Sequence, residues 1–62
     1  MDLQEVKSNL NKDVLYNGVK YELVACILRK NEQGYFYQAE IKNKRANSVM
    51  ICKLDDIKGV TE

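Results

Sequence analysis

The sequence contains no histidine and no proline, and it has only three glycines and two cysteines. Without histidine, a general base working near neutral pH would have to be a displaced carboxylate, lysine or cysteine. A structural zinc site is disfavoured too, because two thiols would need two nearby carboxylates to complete a four-ligand shell. With proline absent and glycine confined to Gly18, Gly34 and Gly59, there is no linker, repeat or low-complexity tract. The longest apolar run, Leu23 to Leu28, is far shorter than the roughly 20 residues that span a bilayer, so no membrane partner is expected. One charge sign does not dominate either: ten basic and nine acidic side chains give +1. Generic attraction to nucleic acid needs a stronger or better segregated charge.

What is present is one short chain of 62 residues, read as a single domain over 1–62. A domain of this size buries only about 60% of the surface its unfolded chain exposes, so its core is marginal. Disulfides, a metal or self-association usually supply the missing stability. Cys26 and Cys52 stand in the apolar runs "VACIL" and "VMICKL". They read as buried free thiols, with one disulfide between neighbouring strands as the alternative. No charged-then-apolar leader appears, so a cytoplasmic location with reduced thiols is expected. The frequent Lys, Asn and Ile hint at an AT-rich coding source, a bacterium or its phage.

Along the chain, "DLQEVKSNL" predicts a helix over 2–10, with Asp2 as cap and Glu5 completing a capping box. Leu3, Val6 and Leu10 form its apolar stripe. Too short to hold alone in water, this helix must dock, either as a lid on the body or as an arm for a partner. Strands follow over 13–16, 19–30, 35–43 and 48–54, and "DDIKGV" adds a single turn with a short β segment. Asn17-Gly18 predicts a type I′ turn pairing Tyr16 with Val19 and Val14 with Tyr21. "NEQG" reads as a type I turn followed by a left-handed, bulged Gly34. That register pairs Asn31 with Tyr35, Arg29 with Tyr37, Ile27 with Ala39 and Ala25 with Ile41. Tyr35, Tyr37, Ala39 and Ile41 then face the core, while Phe36 looks away. A four-residue loop would shift the register by one and swap the faces of the second strand.

The fold class is therefore mainly β with a short N-terminal helix: four or five antiparallel strands in a meander rolled into a small barrel. The alternative is an open sheet with the helix on one face. A short helix, the "NGVKY" hairpin, a long central hairpin and then "NSVMICKLDDIKGV" resemble the SH3-like and Sm-like small barrels. The resemblance lies in strand order, and it implies a fold without a function. Only Asp13 to Tyr16 precede the Asn-Gly turn and the central hairpin is longer than in the Sm pattern, so no RNA-binding residue is carried over.

Catalysis is the weakest functional reading, and no enzyme, cofactor or metal is expected. Ser8 and Ser48 lie in no nucleophile-like context, and the acid pair Asp55-Asp56 reads as a cap before Ile57. A second candidate is a basic rim, Arg29, Lys30, Lys42, Lys44 and Arg45 with Phe36, able to hold a nucleotide or single strand. Against it, Glu32 and Glu40 share the hairpin, and Lys–Glu pairs across strands describe an ordinary solvated rim. The third feature weighs most. The expected register leaves Val24, Cys26, Leu28 and Phe36 opposite the core, with Leu15 nearby. Either the strand bends so that both faces enter a closed barrel, or the second face meets another chain. The favoured reading is a non-catalytic protein-interaction module that self-associates, such as a phage or mobile-element regulator or inhibitor. A homodimer would also supply the stability that the length demands.

Overall fold

The computed structural model describes residues 1–60. Helix α1 (Leu3–Asn9) leads into strands β1 (Asp13–Tyr16), β2 (Val19–Asn31), β3 (Gly34–Asn43) and β4 (Ser48–Lys53). A 3₁₀ turn (Leu54–Asp56) then feeds a last strand, β5 (Ile57–Gly59). All five strands form one antiparallel sheet in the order β4-β3-β2-β1-β5.

The helix starts as its sequence dictates. The Glu5 N–H donates to Asp2 Oδ1 at 2.8 Å, and Glu5 Oε1 accepts from the Asp2 N–H, closing the capping box. It ends where Leu10 turns extended and Asn11 takes φ 66°. Of the expected stripe, Val6 alone is buried and joins the core, while Leu3 and Leu10 stay exposed. The Met1 ammonium donates to the Leu54 carbonyl at 2.9 Å, tying the N-terminus to the far end of the sheet. The helix is a lid on its own body.

The first hairpin matches expectation. Asn17 and Gly18 both have positive φ, 51° and 77°, and Tyr16 pairs with Val19 and Val14 with Tyr21. The central hairpin does not. Its turn has two central residues, Glu32 and Gln33, so that Asn31 pairs with Gly34 rather than Tyr35. Asn31 Oδ1 accepts from the Gln33 N–H at 2.8 Å, and Gly34 takes φ 127°, a conformation natural only to glycine. A second one-residue slip follows between Leu23 and Ala25, where β2 bulges at Val24. Arg29 therefore pairs with Phe36, Ile27 with Gln38, Cys26 with Ala39 and Leu23 with Ile41.

The two slips add, leaving the pairing one residue from the expected register at the tip and two at the base, so the expected faces are restored at the base and not at the tip. Leu23, Ala39 and Ile41 are fully buried on one face, as alternation requires. Past the bulge, Cys26 and Leu28 take that same face, and Ala25, Ile27 and Arg29 turn to the other. The predicted faces of β3 hold, and those of the outer half of β2 are reversed.

The expected barrel is not closed, because β4 and β5 are the two outer edges of the sheet and do not pair with each other. The sheet nevertheless curls. Cys52 of β4 and Ile57 of β5 share one core with Val6, Val14, Leu23, Ala39 and Ile41. The bulge at Val24 lies where a bend is needed, since bulges sharpen the local twist of a strand. The open sheet with its helix on one face is the architecture adopted.

Candidate functional site

The buried core ends before the long hairpin does. β4 pairs with β3 no further than Lys53 opposite Gln38, so residues 34–37 have β2 as their one paired strand. The consequence is an apolar tip: Leu28 is 55% exposed, Tyr35 70%, Phe36 36% and Tyr37 40%. Tyr35 and Tyr37 do lie on the core-side face, but beyond the point where the core stops. The Lys30 ammonium sits 5.6 Å from the centre of the Tyr35 ring, a cation–π contact that holds one edge of the tip. Beside it, Phe36, Tyr37, Gln38, Lys53, Leu54 and Met1 line an open groove of about 490 Å³. Gln38 Oε1 is buried there without a hydrogen-bond partner.

The five residues expected to form one interface are distributed differently. Leu28 and Cys26 share the face of Tyr37 and Ala39, and Phe36 lies on the opposite face beside Arg29. Val24 occupies the bulge, and Leu15 pairs with Lys20 and Lys58 on β1. The physical reason is parity, since a turn of two residues instead of three shifts the pairing by one and swaps the faces of β2 relative to β3. Leu28 and Phe36 both lie at the tip, on its two opposite faces.

The basic rim is divided in a similar way. Arg29 and Lys30 stand at the tip, while Lys42, Lys44 and Arg45 lie six residues or more down the hairpin, about 20 Å away. The Lys44 ammonium donates to Asp13 Oδ1 at 3.0 Å, and the pair is exposed. That hydrogen bond, with the charge of Asp13, raises the Lys44 pKa. Asp55 and Asp56 sit exposed in the 3₁₀ turn, whose N-terminus has no side-chain cap. Among the described residues no three His, Cys, Asp or Glu side chains come together as a metal site, and no helix is long and apolar enough to cross a membrane.

Both cysteines are free. Each pairs with Ala39, Cys26 from β2 and Cys52 from β4, so one whole strand separates them. Two strand spacings put their Cα atoms about 10 Å apart, beyond the reach of a disulfide. Burial pushes both thiols above their ordinary value, and the negative charge of Asp56 adds to the shift at Cys52. A thiol that stays protonated in the folded chain while ionising in the unfolded one contributes stability below the unfolded pKa. That contribution is lost as pH rises through the folded pKa. The melting temperature is therefore expected to fall above about pH 9, with a smaller fall in Cys52→Ala. Equal alkaline slopes for the two proteins would contradict this account.

The chain matches no protein-family model, no curated protein and no solved structure.

Sequence reasoning found Leu28 and Phe36 but missed Tyr37, Val49, Met50 and Ile51, which are also exposed apolar groups. The signal for the last three was present. "SVMICKL" is apolar on both faces, and a strand of that kind covered on one side only leaves an apolar face in solvent.

Proposed function

We propose that this protein is a non-catalytic protein-interaction module that self-associates. The observation that supports it is its exposed apolar surface. Leu28, Phe36 and Tyr37 at the hairpin tip and Val49, Met50 and Ile51 on β4 are all open to solvent, while the buried core is complete without them. Exposed apolar groups gathered in patches characterise binding surfaces, whereas scattered ones do not. The reading includes a place among relatives of the SH3-like small barrels. The strand order and the return of β5 beside β1 after a 3₁₀ turn support it, in an opened form. A cytoplasmic role as a bacterial or phage regulator or inhibitor accords with the small size and the Lys-, Asn- and Ile-rich composition.

The alternative, nucleotide or nucleic-acid binding by the basic rim, is weakened by the division of its cations between two ends of the hairpin. Only Arg29 and Phe36 remain side by side.

Light scattering at micromolar concentration, with recovery of co-purifying protein, tests the module directly. The wild type is expected to run above the 7.2 kDa chain mass or to carry a stoichiometric partner. Leu28→Asp with Phe36→Asp should keep the melting temperature within a few degrees, because both sites are exposed, and should release any partner held at the tip. A wild-type monomer whose partner binding ignores both substitutions would remove the proposal.

A further inference from the structure

We infer that β4 is the self-association surface, pairing antiparallel with β4 of a second copy across a two-fold axis at Met50. This names the partner for the interaction-module reading above and rests on it. Exposed sheet edges carry unpaired N–H and C=O groups, and folded proteins protect them by shortness, charge, proline or bulges. β5, at one edge of this sheet, has that protection. It is three residues long, carries Lys58 at its centre, and has the Asn9 and Met1 side chains near Gly59. β4, at the other edge, has none. It runs for six residues, pairs with β3 without a bulge, and is uncharged from Ser48 to Cys52. On it Val49 is 54% exposed, Met50 39% and Ile51 46%.

The occupant follows from the pattern of this strand. In an antiparallel ladder, residues directly opposite each other lie on the same face, so a two-fold axis normal to the sheet passes between two copies of one residue. With the axis at Met50, Val49 of each chain meets Ile51 of the other on one face. Met50 meets Met50 on the other face, and Ser48 meets Cys52. Apolar groups thus oppose apolar groups at every central rung. Lys53, the strand's single charge, falls outside the paired segment, and the two copies of it end about 20 Å apart. A parallel arrangement would set the two lysines side by side. Pairing would join two five-stranded sheets into one continuous sheet.

The test uses the full chain. Light scattering at about 100 µM, within the concentration range where weak dimers form, is expected to give two chains for the wild type. Ile51→Lys and Val49→Lys, each checked for folding by circular dichroism, should weaken the dimer at least tenfold. Leu28→Asp should leave it intact. Met50→Cys places two thiols across the axis within disulfide reach, so mild oxidation should convert it to a covalent dimer while the wild type stays uncrosslinked. That variant decides the matter if a lysine variant does not fold. A dimer that survives Ile51→Lys and gives no Met50→Cys crosslink overturns the β4 pairing and leaves the interaction-module reading standing. An assembly larger than two overturns the two-fold. A wild-type monomer overturns self-association itself, and the pairing with it.

Discussion

Leu23→Ala is expected to leave the chain largely unfolded at room temperature, with loss of its β-type circular dichroism. Removing a fully buried leucine costs about 2–5 kcal/mol, the larger part of that range applying where the cavity cannot collapse. A single core in a domain this small supplies only about 3–5 kcal/mol. Leu23 is fully buried on β2, the strand that pairs with both β1 and β3, and it directly precedes the bulge. Its N–H donates to the Lys12 carbonyl at 3.0 Å, and its carbonyl accepts from the Asn11 N–H at 2.7 Å. The same residue therefore anchors the helix exit, the bend of the sheet and the centre of the core. Leu23→Met keeps most of the volume and should cost less than about 1.5 kcal/mol. Wild type and variants must be compared at one protein concentration, because self-association raises apparent stability by mass action. An alanine variant melting within a few degrees of wild type would mean that the core does not converge on Leu23.

The parts of this fold that sequence displays are those set by neighbouring residues. Asn17-Gly18 demands positive φ at two successive positions, and Asp2 with Glu5 offers two hydrogen bonds for two free helix N–H groups. Each is readable because side chain and backbone geometry are coupled within four residues. The central hairpin was only half readable for the same reason. Asn31 and Gly34 mark a turn, but both two-residue and three-residue loops can end on a glycine with positive φ. The bulge at Val24 carries no such mark. "LVAC" is apolar throughout, so no polar residue on the wrong face reveals where alternation breaks. The shorter turn moved Cys26 and Leu28 to the face opposite Phe36 and split the expected patch, and the silent bulge at Val24 returned Leu23 to the core face. Closure of the sheet is also invisible locally, since it depends on whether β5 reaches β4 as well as β1. Three residues at Ile57–Gly59 serve one neighbour, β1. The exposed strand at Val49–Ile51 was legible as apolar on both faces, and its place at the sheet's edge is set by the pairing of β5 with β1.

Val6→Asp is expected to undock the helix and lower the melting temperature by roughly 10 °C or more. Val6 is the one helical residue that enters the core, and burying such a side chain is worth about 1.5–3 kcal/mol. For a domain of this length each kcal/mol moves the midpoint by about 4–8 °C. A carboxylate cannot take the valine's place without a partner, and the core around Val6 holds only apolar residues and Cys52 among the described residues. The helix would leave instead, because seven residues do not sustain a helix in water. Fast amide exchange over residues 3–12 would report the release. Leu3→Asp is the matched control, exposed on the same helix and expected to change the midpoint little. If the helix served as an arm for another protein rather than as a lid, Val6→Asp and Leu3→Asp would behave alike, and both would leave the melting temperature where it is.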